Sequence, residues 1–122
     1  MAKRRGIYED PALRLKLAKL YSQSHSLRAM GYKGFASFAQ GGFSAEHSLM
    51  KVAISELQQT LFELGMDLQN AGAALLDPDI AEEGARWQTS FFGVLAATIG
   101  GGTSEIQRNV IAQHVLQLPK GA

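Results

Sequence analysis

The sequence predicts an all-α fold, an up-down helical bundle of about four helices, and three features carry this prediction. Two long segments repeat apolar residues at alternating steps of four and three, which is the spacing of one helix face. The links between the segments are short and contain Gly, Pro and Asp, which end helices. Alternating runs of β-branched residues, which would indicate strands, are scarce, so the helices have only one another to pack against.

The first predicted helix begins at Asp10-Pro11 and ends at Gly41-Gly42. An Asp side chain caps the free amides of a helix start, and proline fits the first helical position because it has no N–H to leave unpaired. The apolar stripe of this helix consists of Leu13, Leu17, Leu20, Ser24, Leu27, Gly31, Gly34 and Phe38. Its small residues either allow a close helix crossing or are simply tolerated, at a cost of about 1 kcal/mol for each glycine.

The second predicted helix has Ser44 as its N-cap and ends at Asp77-Pro78, because a residue in front of proline disfavours the helical conformation. Its stripe consists of Met50, Ile54, Leu57, Leu61, Leu64, Leu68, Ala71 and Leu75. A short turn at residues 40–43 joins the first helix to the second, which predicts an antiparallel helical hairpin.

A third helix is predicted from Ala85 to Ile99, after an acidic surface connection at residues 77–84. The segment is apolar on more than one side, which suits a helix wedged between others. Its large apolar residues are Trp87, Phe91, Phe92, Val94, Leu95 and Ile99. Three consecutive glycines at positions 100–102 end it.

A fourth helix is predicted from about Glu105 to Leu116. Thr103 or Ser104 serves as its N-cap, because a hydroxyl oxygen accepts from the free amides of a first turn. Glu105 in that turn suits the positive end of the helix dipole, and Pro119 prevents continuation.

The composition describes one domain of 122 residues, 46% of them apolar and 19% charged, with no cysteine. Without cysteine the chain forms no disulfide, thiolate zinc site, iron–sulfur cluster or thiol nucleophile. We divide it into a basic N-terminal tail at residues 1–9 and a helical bundle at residues 10–120. The first residues lack the apolar run of a secretory signal, and no apolar stretch has the length of a membrane span, so we expect a cytoplasmic protein that does not enter a membrane.

The net charge of +1 conceals an asymmetry between the two halves of the chain. Residues 1–45 carry eight Lys and Arg against two acids, whereas residues 46–105 carry two against nine. Because the cations are spread among leucines at helical spacing and an acidic segment follows in the same chain, we expect mutual attraction of the halves and no binding of nucleic acid.

No side chains form a recognisable catalytic or metal-binding motif. A di-iron bundle needs Glu-x-x-His pairs, and no Glu of this sequence has His three places later. His25, His47 and His114 each stand alone, so we expect no metal site.

The run Gly100-Gly-Gly-Thr-Ser104 lacks the Gly-Lys-Ser/Thr ending of a P-loop and follows a helix instead of a strand. Three glycines before a helix start either expose backbone amides to a polar ligand or form a flexible turn. These two interpretations are equally supported by the residues alone.

Residues 97–120 carry a resemblance to a known family. They read ATIGGGTSEIQRNVIAQHVLQLPK, and the GTSEIQRN core with the VLxLP ending strongly resembles the closing segment of acyl-CoA dehydrogenases. These flavoproteins introduce an α,β double bond into acyl-CoA thioesters. The upstream helices are similar too, at Leu17–Tyr21, Leu27–Tyr32 and Lys51–Leu68, so the resemblance extends from about Glu9 onward.

The resemblance implies a role for the glycine-rich turn. In the family this turn contacts FAD, which implies Gly102, Thr103, Ser104 and Glu105 as cofactor-binding residues. Because the other domains that hold FAD in the family are expected to be absent, we expect that this chain alone does not retain FAD. Many members place the catalytic Glu immediately before Gly-Thr, and the matching residue here is Gly101, so we assign no catalytic residue. The segment Asp67–Ala73 departs from the family's Gln-x-x-Gly-Gly-x-Gly pattern. The Ile-Gly-Gly-Gly-Thr run is similar to a heteromeric branch that acts on sterol-derived thioesters.

The resemblance covers only the family's C-terminal helical domain. A typical member also has an N-terminal helical domain and a middle β domain, and we expect both to be absent from this chain, whether it is a fragment or a separate gene product. The expected function is therefore that of the C-terminal domain of a flavin-dependent acyl-CoA dehydrogenase, inactive when isolated. The alternative is a non-enzymatic assembly module that oligomerises with itself or with a full-length subunit through exposed apolar faces around Trp87, Phe91 and Phe92.

Overall fold

The computed structural model describes residues 1–41 and 46–119, in which helices and turns are present without a strand. The four α-helices are α1 (Pro11–Ala39), α2 (Glu46–Asp67), α3 (Arg86–Ala97) and α4 (Ser104–Val110). Short 3-10 segments lie at Asn70–Ala74 and Glu82–Ala85, and a π segment, Ile111–Val115, continues α4. The predicted all-α fold of about four helices is confirmed.

Helices α1 and α2 form the predicted antiparallel hairpin. Leu13 and Leu20 at the start of α1 are buried with Leu64 near the end of α2, whereas Gly31 near the end of α1 faces Met50 at the start of α2. The predicted Asp10 cap is present, because its side chain accepts a hydrogen bond of 2.9 Å from the Ala12 amide. Ser44 and part of the connecting turn lie outside the described residues.

Helix α2 is the central helix of the fold. It packs on α1 through one face and on both α3 and α4 through another, while α1 makes its substantial helix contact with α2. Thr98 at the end of α3 lies beside Lys51 and Gln59 of α2, and Trp87 at the start of α3 lies beside Gly65. Helix α3 therefore runs antiparallel to α2, and the outer side of α1 is left to solvent.

The second helix ends at Asp67, ten residues before the predicted end at Asp77. Asn70 has a left-handed backbone with φ of 52°, which is incompatible with a continuing right-handed helix. A 3-10 turn follows at Asn70–Ala74, and the side chain of Asp77 accepts from the Asp79 amide at 3.0 Å to form the next turn. The periodic stripe at Ala71 and Leu75 thus continued beyond the helix itself.

The N-terminal residues fold back onto the hairpin. Ala2 and Ile7 pack against the core formed by the buried leucines, and Arg5 donates to the Leu68 carbonyl at 2.7 Å. Arg4 and Arg5 also form ion pairs with Glu82 and Glu83. The basic half therefore meets the acidic half here.

The described residues contain no group of three or more His, Asp or Glu side chains that could hold a metal ion. Among the same residues, no helix has the length and apolar character needed to cross a membrane.

Candidate functional site

The connection between α3 and α4, residues 100–105, is called the glycine turn below. Its backbone is left-handed at Gly101 and Gly102, with φ of 69° and 92°. Residues with a β-carbon rarely adopt these angles, so the turn requires glycine at both positions. Thr103 then returns to an extended conformation and caps α4, because its hydroxyl oxygen accepts from the Ile106 amide at 3.3 Å. Of the two expected caps, the structure uses Thr103.

Helix α2 holds the glycine turn in place through contacts with Thr98, the residue that follows the end of α3. The carbonyl of Thr98 accepts from the Ser104 amide at 3.1 Å and from the Lys51 ammonium group at 3.3 Å. The Thr98 hydroxyl group lies 3.4 Å from the donating amide nitrogen of Gln59. The Thr98 carbonyl therefore joins the two sides of the turn through the Ser104 amide, and it links the turn to α2 through Lys51.

An ion pair holds α4 in the same place. Arg108 of α4 pairs with Glu56 of α2, one turn of helix beyond Lys51. Both side chains are about half-exposed, so the free energy of this pair is of the order of 0–1 kcal/mol and its main effect is on the position of α4.

The four predicted cofactor-binding residues lie together in the glycine turn, with different exposures. Gly102 and Thr103 are half-buried, and Glu105 is exposed. Ser104 is only 6% exposed, and its hydroxyl group is buried without a hydrogen-bond partner among the described residues. Access from solvent therefore exists at three of the four positions.

The backbone amides of the turn provide donors. Within the described part of the chain, no protein acceptor pairs with the N–H groups of Gly101, Gly102 and Thr103. Consecutive amides of this kind form a concave cradle for ligand oxygens, and the missing side chains of the glycines allow close approach. These donors, with the Lys51 ammonium group nearby, fit an oxygen-rich cofactor such as FAD.

Glu105 is ionised at neutral pH. Its own backbone N–H and the Thr103 hydroxyl group both donate to the carboxylate, which lowers the pKa of Glu105 below the ordinary value for glutamate. Arg108 and Lys51 lower the pKa further through their positive charge. Since its proton is already lost, Glu105 gives the turn a fixed negative charge that favours neutral, donor-bearing parts of a ligand over phosphate at its own position.

Sequence reasoning missed Lys51 and Gln59 as parts of this site. Both lie 39 or more residues before Thr98 and reach the turn only because α2 packs beneath α3 and α4. One signal for Lys51 exists in the sequence, since it is the sole Lys or Arg between residues 46 and 85.

The fold agrees with the matches to known proteins. A family model described as the acyl-CoA dehydrogenase C-terminal domain matches residues 1–116. The chain therefore belongs to the acyl-CoA dehydrogenase family and corresponds to its C-terminal helical domain.

Two curated relatives carry the name Acyl-CoA dehydrogenase IpdE1. The relative from Mycolicibacterium smegmatis is 31% identical over 124 residues, covering 98% of this chain and 29% of its own. The relative from Mycobacterium tuberculosis is 32% identical over 127 residues, covering 100% of this chain and 31% of its own. The chain thus spans under a third of the length of the relatives it matches.

Two solved structures contain the same arrangement of helices. A structure titled "Tcur3481-Tcur3483 steroid ACAD" matches with a TM-score of 0.87 and 20% identity, over 98% of this chain and 32% of the other. The ChsE4-ChsE5 complex from Mycobacterium tuberculosis matches with a TM-score of 0.79 and 27% identity, over 93% of this chain and 29% of the other. These matches support the helical fold described above.

Proposed function

We propose that this chain supplies the flavin-facing helical part of an acyl-CoA dehydrogenase, with Gly102, Thr103, Ser104 and Glu105 against FAD. The supporting observation is the run of amides at Gly101–Thr103, which have no acceptor among the residues that the structure describes, in a turn that side chains would otherwise fill. Membership of the family supports the same cofactor. When bound, FAD would supply the acceptor for the hydride that leaves the β carbon of an acyl-CoA thioester.

The isolated chain is proposed to lack turnover. Proton removal from the α carbon needs a base, and Gly101 at the family's usual base position has no side chain. Glu105 is the second residue of α4, and its lowered pKa makes it a weak proton acceptor. The contribution of this chain is therefore to bind and orient the cofactor, not to transfer the proton.

A titration of FAD into the purified chain tests the cofactor site. We expect quenching of flavin fluorescence that saturates, and weaker binding after Gly102→Ala, because a β-carbon would lie 2.9 Å from the Gln107 amide nitrogen in a strained backbone. Gly93→Ala is the matched control, since a β-carbon there meets no atom within 4 Å. Equal FAD affinity of the two variants would argue against the site, and reduction of an electron acceptor with acyl-CoA would contradict the absence of turnover.

An assembly role is the second candidate function, and the amount of exposed surface favours it. The chain presents 8392 Å² to solvent, whereas a compact monomer of its mass presents about 6,400 Å². The excess of about 2,000 Å² is larger than the roughly 800 Å² that one partner contributes to a standard interface. A partner surface is therefore available without unfolding any part of the chain.

Four of the five exposed aromatic residues in the described part of the chain lie on α1. Of the residues expected at an exposed face, Phe92 is exposed, whereas Trp87 and Phe91 are half-buried. On α1, the exposed aromatic residues are Tyr21, Tyr32, Phe35 and Phe38. We propose a partner that contacts these aromatic residues of α1, either a second copy or another acyl-CoA dehydrogenase subunit.

Size-exclusion chromatography with light scattering tests the assembly role. We expect a mass above the 13.2 kDa of one chain, and its reduction to that value by the double variant Tyr32→Ser/Phe35→Ser on α1. Leu76→Ser, at an exposed residue in the connection between α2 and α3, is the control and should leave the mass unchanged. A wild-type protein that elutes as a monodisperse monomer would contradict the assembly role.

A further inference from the structure

The side chain of Gln107 reaches back from α4 across the glycine turn. Its amide nitrogen donates to the Gly101 carbonyl at 2.8 Å. The same nitrogen lies 2.9 Å from the position that a β-carbon on Gly102 would take. Gln107 therefore touches both left-handed residues of the turn.

This hydrogen bond fixes the direction of an amide. The peptide between Gly101 and Gly102 is planar and trans, so its carbonyl and its N–H point in opposite directions. Because the Gly101 carbonyl points at Gln107, the Gly102 N–H points away from Gln107. Glycine can populate several backbone conformations at similar free energy, and only an additional contact selects one of them.

We propose that Gln107 is a positioning residue that holds the glycine turn in its ligand-binding conformation. Its carboxamide keeps the Gly101 carbonyl occupied and so keeps the N–H groups of Gly101–Thr103 available to the cofactor. The role rests on the proposed FAD site, although the conformational part can be measured without FAD. Gln107 acts through the glycines and does not itself contact the reacting atoms.

Nuclear magnetic resonance on the full chain tests the conformational part. The variant Gln107→Leu keeps the approximate size of the side chain and removes the donor, and Gln107→Glu replaces the donor with a carboxylate that repels the carbonyl. We expect both to shift the amide resonances of Gly101 and Gly102. Asn109→Leu, an exposed amide on the same helix, is the control and should leave those resonances in place.

Far-ultraviolet circular dichroism shows whether each variant keeps its helices. The Glu variant covers the case in which Gln107→Leu fails to fold. Unchanged glycine resonances in a folded Gln107 variant, or equal shifts in the Asn109 control, would overturn the positioning role.

An FAD titration separates this role from the proposed function. We expect Gln107→Leu to weaken FAD binding about three- to tenfold, the equivalent of one neutral hydrogen bond. If the wild type does not bind FAD but the glycine amide resonances shift in the variant, the FAD site is rejected. Control of the turn conformation by Gln107 is then retained. Equal FAD affinity of wild type and Gln107→Leu rejects the positioning role and retains the site.

Discussion

The indole ring of Trp87 lies directly against Gly65, so that a β-carbon on Gly65 would stand 2.0 Å from Cε3 of the ring. Helices α2 and α3 meet at this point, because Gly65 belongs to the last turns of α2 and Trp87 to the first turn of α3. The ring also makes an edge contact with Phe62, with centroids 5.8 Å apart. Only glycine at position 65 allows this helix packing.

The substitution Gly65→Ala should destabilise the protein. A methyl group cannot enter the space of the indole without displacing Trp87, and such overpacking costs about 1–3 kcal/mol. Urea unfolding followed by circular dichroism measures the effect. Gly93→Ala, inside α3 with open space around it, should instead stabilise by about 0.5–1 kcal/mol because alanine favours helix. A Gly65→Ala protein as stable as the wild type would contradict the packing.

Trp87 should report the protonation of Glu83. The indole N–H donates to the Glu83 carboxylate at 2.8 Å, and this bond, together with Arg4, lowers the pKa of Glu83 below its ordinary value of 4.5. The ionised carboxylate therefore stabilises the fold above the ordinary pKa, and this stabilisation is lost as the pH falls through the lower folded value.

The fluorescence of Trp87, the one tryptophan of the sequence, measures this titration. We expect a change with a midpoint below pH 4.5 that is absent in Glu83→Gln. Arg4→Ala should move the midpoint upward, because one source of the lowered pKa is gone. A wild-type midpoint at or above the ordinary value would contradict this assignment.

The sequence alone predicts the parts of the fold that are determined by residues close together in the sequence. The Asp10 cap, the leucines of the α1–α2 core and the Thr103 cap are local signals of helix starts and faces, and each is present. The end of α2 is different, because the apolar period continues through Leu75 while the left-handed Asn70 breaks the helix. Periodicity measures which residues would share a face and is silent on backbone conformation.

The site was predictable only in part for a related reason. The Gly102–Glu105 segment is contiguous, so its resemblance to a family motif makes it a candidate. Lys51 and Gln59 come to the turn through the packing of α2, which no spacing in the sequence encodes. The Gly65–Trp87 contact was missed in the same way, because 22 residues separate its members.

Arg5 should stabilise the end of α2. Its guanidinium group donates to the Leu68 carbonyl at 2.7 Å and to a Glu82 carboxylate oxygen at 2.9 Å. The last carbonyls of a helix lack partners within the helix and favour a cation. We expect Arg5→Ala to reduce the free energy of unfolding by about 1–2 kcal/mol.

Two further variants separate the fork of Arg5 from its charge. Arg5→Lys keeps the positive charge but loses the planar guanidinium group that donates in two directions. We therefore expect it to recover less than half of the free energy of unfolding that Arg5→Ala loses. Arg86→Ala, at an exposed cation on α3, should change unfolding in urea by less than about 0.5 kcal/mol. Equal effects of Arg5→Ala and Arg86→Ala would show that Arg5 does not cap α2.

Gln88 and Gln69 form a buried polar pair between α3 and the end of α2. Gln88 is fully buried, and its amide nitrogen donates to the side-chain oxygen of Gln69 at 3.0 Å and to the Gly72 carbonyl at 3.2 Å. Gln69 in turn donates to the Gly65 carbonyl at 3.2 Å. Substitution of one partner leaves a buried acceptor without a donor, which costs about 1–3 kcal/mol.

A double-mutant cycle with Gln69→Leu and Gln88→Leu tests this coupling. We expect Gln88→Leu to cost about 1–3 kcal/mol, since it strands the Gln69 oxygen. The Gly72 carbonyl keeps its hydrogen bond from the Leu75 amide at 3.1 Å. The double variant should lose about 1 kcal/mol less free energy of unfolding than the sum of the losses in the two single variants. The reason is that the stranded Gln69 oxygen is then removed as well. Gln58→Leu on the exposed side of α2 is the control. Additive single effects in urea unfolding would mean that the two amides are energetically independent.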